Sequence, residues 1–307
     1  VAKKAPVKAA PSKTATGRPA GLFTWIAVGL VVVVVAGLVI IKVVSGTTTT
    51  TAASGFQATD AATLAELTTV PSSVFDTVGV ASAVAQVTPP IQLKNQPELT
   101  AASASGVALP EVFYIGAEYC PYCAAQRWST IIALSRFGTW ANLGNTTSSS
   151  VDVYASTPTF TFVKATYTSK YLVFKGVEEL NNVYNAATNP PYGKLQTPTK
   201  AETAIFTKYD TAKYVPGMTA ADSGSIPFIS MANQFIVSGS SYTPATLSGL
   251  TRNAIAAGLS DPTSPVTDAI IASANYQSAA LCTLTKQQPS TVCNSSGVMA
   301  AKKAMKL

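Results

Sequence analysis

Residues Glu111 to Gly138 read E-V-F-Y-I-G-A-E-Y-C-P-Y-C-A-A-Q-R-W-S-T-I-I-A-L-S-R-F-G. Val112 to Ala117 is a short apolar, β-branched and aromatic run, the pattern of a buried parallel strand. Beyond Cys120-Pro121-Tyr122-Cys123, the residues Ala124, Ala125, Trp128, Ile131, Ile132 and Leu134 recur at helical spacing as far as Gly138. The cysteine pair is therefore expected on the first turn of a helix that leaves the end of a strand. Unpaired N–H groups and the positive end of the helix dipole favour a thiolate there, and Pro121 suits a first-turn slot that needs no N–H.

Two sulfurs in a C-x-x-C at a helix start are close enough to form a small disulfide ring, with the first expected to be exposed and the second turned inward. Cys120 would attack or be attacked, and Cys123 would resolve the mixed disulfide. The dipole should lower the pKa of Cys120 while Glu118 opposes it. A C-x-x-C alone also fits half a zinc site or an inert structural bridge. Zinc would have to recruit Cys282 and Cys293, which are spaced too widely for a usual ligand pair, in a chain with 0 histidines. The same lack of histidine excludes Ser-His-Asp and Cys-His machinery and His-ligated metals. The two thiols call for no metal and no cofactor.

About a hundred residues on, Gly224-Ser225-Ile226-Pro227-Phe228-Ile229-Ser230-Met231 and Ala232-Asn233-Gln234-Phe235-Ile236-Val237-Ser238-Gly239 read as a strand, a tight turn and a second strand. Here the sequence resembles the thioredoxin superfamily, whose active-site disulfide faces a cis-proline that begins the next strand of the sheet. Ile226-Pro227 matches that element, and an ordinary trans edge-strand proline is the alternative. Ala117-Glu118-Tyr119-Cys120 is similar to the thioredoxin approach to its first cysteine, and Cys-Pro-Tyr-Cys carries the dipeptide of glutaredoxins. The resemblance covers roughly residues 87–258. It implies Ile226, Pro227, Pro121 and Tyr122 as substrate-binding residues beside the catalytic Cys120 and Cys123. Tyr114 stands where thioredoxins bury an aspartate, so an acid to take the resolving thiol's proton is missing at that position.

Together with Thr157-Pro158-Thr159-Phe160-Thr161-Phe162 and Tyr167-Thr168-Ser169-Lys170-Tyr171, the stretch around the cysteines is similar to a prokaryotic family of membrane-anchored proteins catalogued as domain of unknown function 929. That resemblance spans residues 64–293 and implies a thioredoxin-like extracytoplasmic protein without an established substrate. The fold class that follows is α/β, a thioredoxin-like mixed sheet flanked by helices. An insertion lies between Gly138 and Ile226, extra helices follow at the C-terminal end, and one transmembrane helix precedes the domain.

Outside these motifs the pattern is weaker. A helix is expected around Leu64, Leu67 and Val70, and a first strand over Val87–Leu93 despite Pro89 and Pro90. Within the insertion, Thr159–Ala165 and Tyr171–Lys175 read as strands, and Pro198–Tyr209 as a helix opened by Thr197. Helices are expected over Pro244–Ala257, ended by Gly258, and over Pro265–Leu284. Cys282 and Cys293 are expected to pair in an oxidising compartment as a structural disulfide, a redox shuttle being the alternative.

Charged residues make up 11% of the chain and the net charge is +7, against roughly 25% charged in an average soluble protein. The positive charge sits at the ends: Lys3, Lys4, Lys8, Lys13 and Arg18 precede any acid, and Lys302, Lys303 and Lys306 close the chain, while residues 43–301 hold 12 bases and 14 acids. No folded basic face is implied, so no nucleic acid is expected as a partner. Residues 22–41, LFTWIAVGLVVVVVAGLVII, are 20 positions without a charge, enough to span a bilayer and long for a cleaved signal peptide. The basic flank places the N-terminus in the cytoplasm and the bulk outside. The expected layout is a basic cytoplasmic tail (1–21), a membrane anchor (22–44), a flexible Thr/Ser/Ala linker (45–63), an extracytoplasmic domain (64–298) and a basic C-terminal tail (299–307). The expected function is a cell-membrane thiol-disulfide oxidoreductase that forms or reshuffles disulfides in exported proteins and is reset by a membrane redox partner. The alternative is a non-catalytic binding or cell-surface module.

Overall fold

The computed structural model describes residues 55–81 and 86–307. The expected cytoplasmic tail, the anchor at 22–44 and most of the linker lie outside the described residues. Among the described residues no helix is long and apolar enough to cross a membrane.

The chain begins with strand β1 (Gln57–Ala58), then helices α1 (Ala61–Thr68) and α2 (Ser72–Val78). Strands β2 (Ile91–Gln92), β3 (Thr100–Ala102) and β4 (Ala108–Gly116) lead into helix α3 (Pro121–Ser135). The insertion then supplies β5 (Thr139–Ala141), β6 (Gly144–Thr147), β7 (Pro158–Thr161), β8 (Thr166–Thr168), β9 (Val173–Glu178), β10 (Leu180–Tyr184), β11 (Tyr192–Lys194) and helix α4 (Lys200–Tyr209). Strands β12 (Phe228–Met231) and β13 (Phe235–Ser238) follow, then helices α5 (Arg252–Gly258), α6 (Pro265–Leu284), α7 (Ser290–Cys293) and α8 (Ser296–Met305).

The central sheet runs β2-β13-β12-β4-β3, with β9 also paired to β4. Strand β4 is bonded on both edges: antiparallel to β12, with Tyr114 opposite Ile229, and parallel to β9, with Tyr114 opposite Gly176. The sheet is thus mixed, and the run expected to be a parallel strand has a parallel neighbour on one side only. Alternation along β4 sorts its side chains onto two faces, because successive Cβ atoms point to opposite sides of a strand. Val112 and Tyr114 join the larger core with Trp128, Ile132 and the C-terminal helices. Phe113 and Ile115 join a smaller core with Phe228, Ile236 and Tyr209 of α4.

Helix α3 is buried on nearly every side, Arg127 and Gln126 included. Its polar side chains meet those of α6 in a buried seam. Thr130 Oγ1 donates to Gln277 Oε1 at 3.0 Å, Gln277 Nε2 donates to Ser129 Oγ at 3.1 Å, and Ser273 Oγ donates to Ser129 Oγ at 2.9 Å. Each buried amide and hydroxyl in that seam finds a partner, which is the condition for burying it without penalty.

Several expected boundaries move, each for a local reason. The helix expected from Pro198 starts at Lys200, because Thr199 forms the reciprocal capping pair with Glu202. The helix expected over Pro244–Ala257 breaks into a short 3-10 turn, Pro244–Leu247, and α5, with Gly249 between them at φ +74°. Val87–Leu93 contracts to β2, since Pro89 and Pro90 have no N–H to give a ladder. Tyr171–Lys175 shifts forward into β9, and Thr159–Ala165 shortens to β7, which belongs to the small β1-β6-β7 sheet. The expected linker is ordered at its end, where Gln57 pairs with Asn145 and Asp60 caps α1. The expected basic tail 299–307 is most of α8, held down by buried Val298 and Ala301. The expected helix Pro265–Leu284 is found as such in α6.

Cys282 and Cys293 are bonded to each other across a sequence separation of 11, tying α6 to α7. Closing so short a loop should stabilise the fold by about 2–3 kcal/mol. Denaturant unfolding of the Cys282→Ser/Cys293→Ser double variant should therefore show a lower midpoint, with an unfolding free energy reduced by about 2–3 kcal/mol. An unchanged midpoint would show that the C-terminal helices hold without the bridge.

Candidate functional site

Strand β4 ends at Gly116, and the chain turns through Ala117-Glu118-Tyr119 to deliver Cys120 to the start of α3. Cys120 is the N-cap residue itself: its Sγ accepts the Cys123 backbone N–H at 3.3 Å, a donor that the helix leaves without an internal partner. Pro121 follows in the first turn, where no N–H is required. Cys123, one turn in, is buried among the helix and the sheet.

The Ile226–Pro227 peptide is cis, and the loop carrying it lies over the cysteines. Cys120 Sγ–H donates to the Ile226 carbonyl at 3.7 Å. Cys120 is therefore 6% exposed rather than open to solvent as its position in the motif suggests, because the loop before β12 covers it. Both cysteines are free thiols. The structure thus brings Cys120, Cys123, Ile226 and Pro227 together. Tyr122 is 43% exposed and meets Tyr154 edge to face at 6.1 Å, whereas Pro121 is buried and presents no surface to a partner. Beside Tyr122 a groove of about 390 Å³ opens, lined by Gln86, Thr88 and the Gly239–Thr243 turn, without a charged group. Cys282 and Cys293 are wholly buried and spent on each other, which removes both the partners a zinc site would need and the exposure a shuttle would need.

Beneath the thiols lies a group of residues that motif reading passed over. Arg127, one turn beyond Cys123 on α3, makes a bidentate pair with Glu178 at the end of β9: Nε donates to Oε1 at 2.8 Å and Nη2 to Oε2 at 2.6 Å. The same Nη2 donates to the Ala117 carbonyl at 2.7 Å. Both side chains are 0% exposed. The sequence signal was a lone arginine inside an otherwise uncharged helical run, but its acid lies 51 residues away. The acid missing from position 114 thus has a counterpart on the neighbouring strand, already neutralised by an arginine. Tyr114 takes up the room: a Cβ on Gly116 would overlap the Tyr114 hydroxyl and stand 3.0 Å from Cys123 Sγ.

The two thiols differ in acidity. Cys120 is lowered below its ordinary value, first by the hydrogen bond from the Cys123 side chain, with the Cys123 N–H and the Arg127 charge adding to it and burial opposing. Cys123 is pushed well above its ordinary value by burial, and by the hydrogen bond to and the charge of Cys120. Burial likewise raises Glu178 against the pull of Arg127. The arrangement suits an outer thiolate and an inner thiol, the division of labour that exchange requires.

The family described as Domain of unknown function (DUF929) matches residues 102–283. No curated protein and no solved structure matches the chain.

Two expectations follow from this geometry. The alkylation rate of Cys120 should reach half its maximum below about pH 8.5, the value of an ordinary free thiol. In Cys123→Ala, which removes the donor thiol, that midpoint should move upward; a midpoint that stays or falls would show the helix terminus alone to be responsible. Glu178→Gln leaves a guanidinium buried without its counter-charge and should cost about 3–5 kcal/mol in equilibrium unfolding.

Proposed function

The chain belongs to the DUF929 family, and from its site we propose that it is a membrane-anchored, extracytoplasmic thiol-disulfide oxidoreductase that forms or reshuffles disulfides in exported proteins. One observation carries the reading: a free Cys120 caps α3 against the Ile226 carbonyl, with Cys123 one turn behind it and lower in acidity. The strand order β9-β4-β12-β13, with α3 leaving β4, supports a thioredoxin-like fold for the domain. The uncharged span within residues 22–44 supports the anchor, and the basic residues before it support a cytoplasmic N-terminus.

In the reducing direction, the Cys120 thiolate attacks a substrate disulfide, forms a mixed disulfide and releases one substrate thiolate, which takes up the proton Cys120 has lost. Cys123 then attacks Cys120 Sγ, closing the Cys120–Cys123 disulfide and expelling the second substrate sulfur, which leaves as a thiol with the Cys123 proton. Two electrons pass from the cysteine pair to the substrate, and no metal or cofactor takes part. Oxidation of a substrate dithiol is the same sequence reversed. A membrane redox partner resets the pair between turnovers. An extended substrate segment would lie along the half-buried Ile226, with Tyr122 at its side, while Pro227, like Pro121, is buried and shapes the loop from beneath.

A non-catalytic interaction module is the second reading, and the low exposure of Cys120 favours it. Trapping separates the two. Cys123→Ser should accumulate mixed disulfides with exported proteins on non-reducing gels after acid quench, while Cys120→Ser should trap almost nothing. Equal trapping by both variants would assign the wrong nucleophile, and none by either would leave the interaction module. Insulin reduction that proceeds at the same rate with Cys120→Ser as with the parent protein would point the same way.

A further inference from the structure

Two donors in the interior stand unspent beside Cys123. Tyr114 Oη and Arg127 Nη1 are both buried, and neither has a hydrogen-bond partner among the described residues. The remaining guanidinium nitrogens are committed to Glu178 and to the Ala117 carbonyl. A buried donor with nothing to bond destabilises the resting state, so an unspent pair at one place calls for an account of when it is used.

The two donors are neighbours: the Tyr114 hydroxyl adjoins the inner sulfur, and Arg127 stands four residues from Cys123, on the same face of α3. The Arg127 guanidinium carbon lies 5.8 Å from the centroid of the Tyr114 ring. The position that a Cβ on Gly116 would occupy is filled by the Tyr114 hydroxyl and lies 3.0 Å from Cys123 Sγ, so hydroxyl and sulfur share one small space over a residue that has no side chain to divide them. A neutral thiol demands no donor from that space. A sulfur carrying negative charge in a fully buried site demands one, because burial penalises the charged form and hydrogen bonds to it offset the penalty.

Resting on the thiol-disulfide reading above, we propose that Tyr114 and Arg127 are the groups that receive the negative charge of Cys123, Tyr114 through its hydroxyl and Arg127 through Nη1, while Glu178 is a positioning residue that holds the arginine fork in place. In the reducing direction they stabilise the Cys123 sulfur as its proton leaves toward the departing substrate thiolate and its bond to Cys120 Sγ forms. In the oxidising direction the same donors receive Cys123 as the sulfur displaced when a substrate thiolate attacks Cys120. The device differs from a buried base: both Glu178 oxygens are engaged by the Arg127 fork, so the carboxylate serves to hold the arginine.

The test uses the full chain, reduced, with dithiobis(nitrobenzoate) as the disulfide. Attack by Cys120 releases one coloured thiolate and resolution by Cys123 releases a second, so the two steps are read separately in one trace. Tyr114→Phe removes a single atom that bonds nothing at rest, and its unfolding midpoint should match or exceed that of the parent protein. Its first release should keep the parent rate within about two-fold, whereas the second should slow by about ten- to a hundred-fold, the worth of one hydrogen bond to a charged group. The pH midpoint of the second step alone should rise. Arg127→Lys, which keeps the charge beside Glu178 but lacks Nη1, should slow the same step. A second release at the parent rate in Tyr114→Phe, with the first release intact, would overturn the proposal and leave the oxidoreductase reading standing. A parent protein in which Cys120 yields no first release would overturn both.

Discussion

The Arg127–Glu178 pair is the contact on which the rest of the site depends. It joins three elements at one point: α3 through the arginine, β9 through the glutamate, and the end of β4 through the Ala117 carbonyl. Two charges removed from water repay their desolvation best when the geometry is bidentate and further hydrogen bonds support it, and Nη1 alone of the Arg127 fork is without a partner among the described residues. Here the fork matches the carboxylate, and a third acceptor comes from the backbone that turns toward Cys120. The register of α3 against the sheet is thereby set one turn below the cysteines. The cost is a charged pair inside a core otherwise made of Trp128, Ile131 and their neighbours, and its consequence is a fixed positive charge within reach of both sulfurs.

Reactivity at Cys120 is a balance between covering and tuning. The loop that reaches over the sulfur lowers its exposure to 6% and, through the Ile226 carbonyl, gives its proton somewhere to point. The same loop leaves the rim of the site aromatic. Tyr119 stacks on Tyr192 at 4.3 Å, with Tyr184 edge-on to Tyr192 at 5.7 Å, and Tyr122, two residues after the cysteine, is exposed. Rings of this kind offer contact area at a small entropic cost, since each has only two rotatable bonds. On the exchange reading proposed above, a substrate segment would approach the sulfur past tyrosines, and among the described residues the groove beside Tyr122 carries no charge.

The low charge of the chain has a counterpart inside. Helices α3 and α6 meet through Gln126, Ser129, Thr130, Ser273 and Gln277, all buried, and the network extends to the Ser241 N–H, which donates to Gln126 Oε1 at 2.8 Å. At the other end of α3, Arg136 donates to Asn275, Ser278 and Ser295 and lies 4.0 Å from the centroid of the Phe75 ring. Directional bonds of this type specify one register between two helices where an apolar seam would permit several. The cysteine-bearing helix is held by side-chain amides and hydroxyls along its back and by an ion pair at its front, which keeps its N-terminus in place.

Local pattern was enough for the elements that carry their own signals. Alternation and β-branching marked β4, helical spacing and Pro121 marked α3, and the expected helix Pro265–Leu284 matches α6 to the residue. The paired motifs Cys120-x-x-Cys123 and Ile226-Pro227 were legible as one site because each has a recognisable form on its own. What depended on a partner elsewhere in the chain was not legible. The Thr199-x-x-Glu202 capping box and the break at Gly249 were local signals that the reading passed over, whereas α8 looked like a basic tail until Val298 and Ala301 found a core to enter. The exposure of Cys120, the pairing of Arg127 with Glu178 and the space shared by Tyr114 and Cys123 are of the same kind. The sequence by itself determined which residues could do chemistry and that two of them stand one helical turn apart, because that spacing is covalent. Only the tertiary structure decided which thiol is covered, which acid answers which base and which donors are left unspent, because burial and pairing are properties of what folds against a residue and not of the residue.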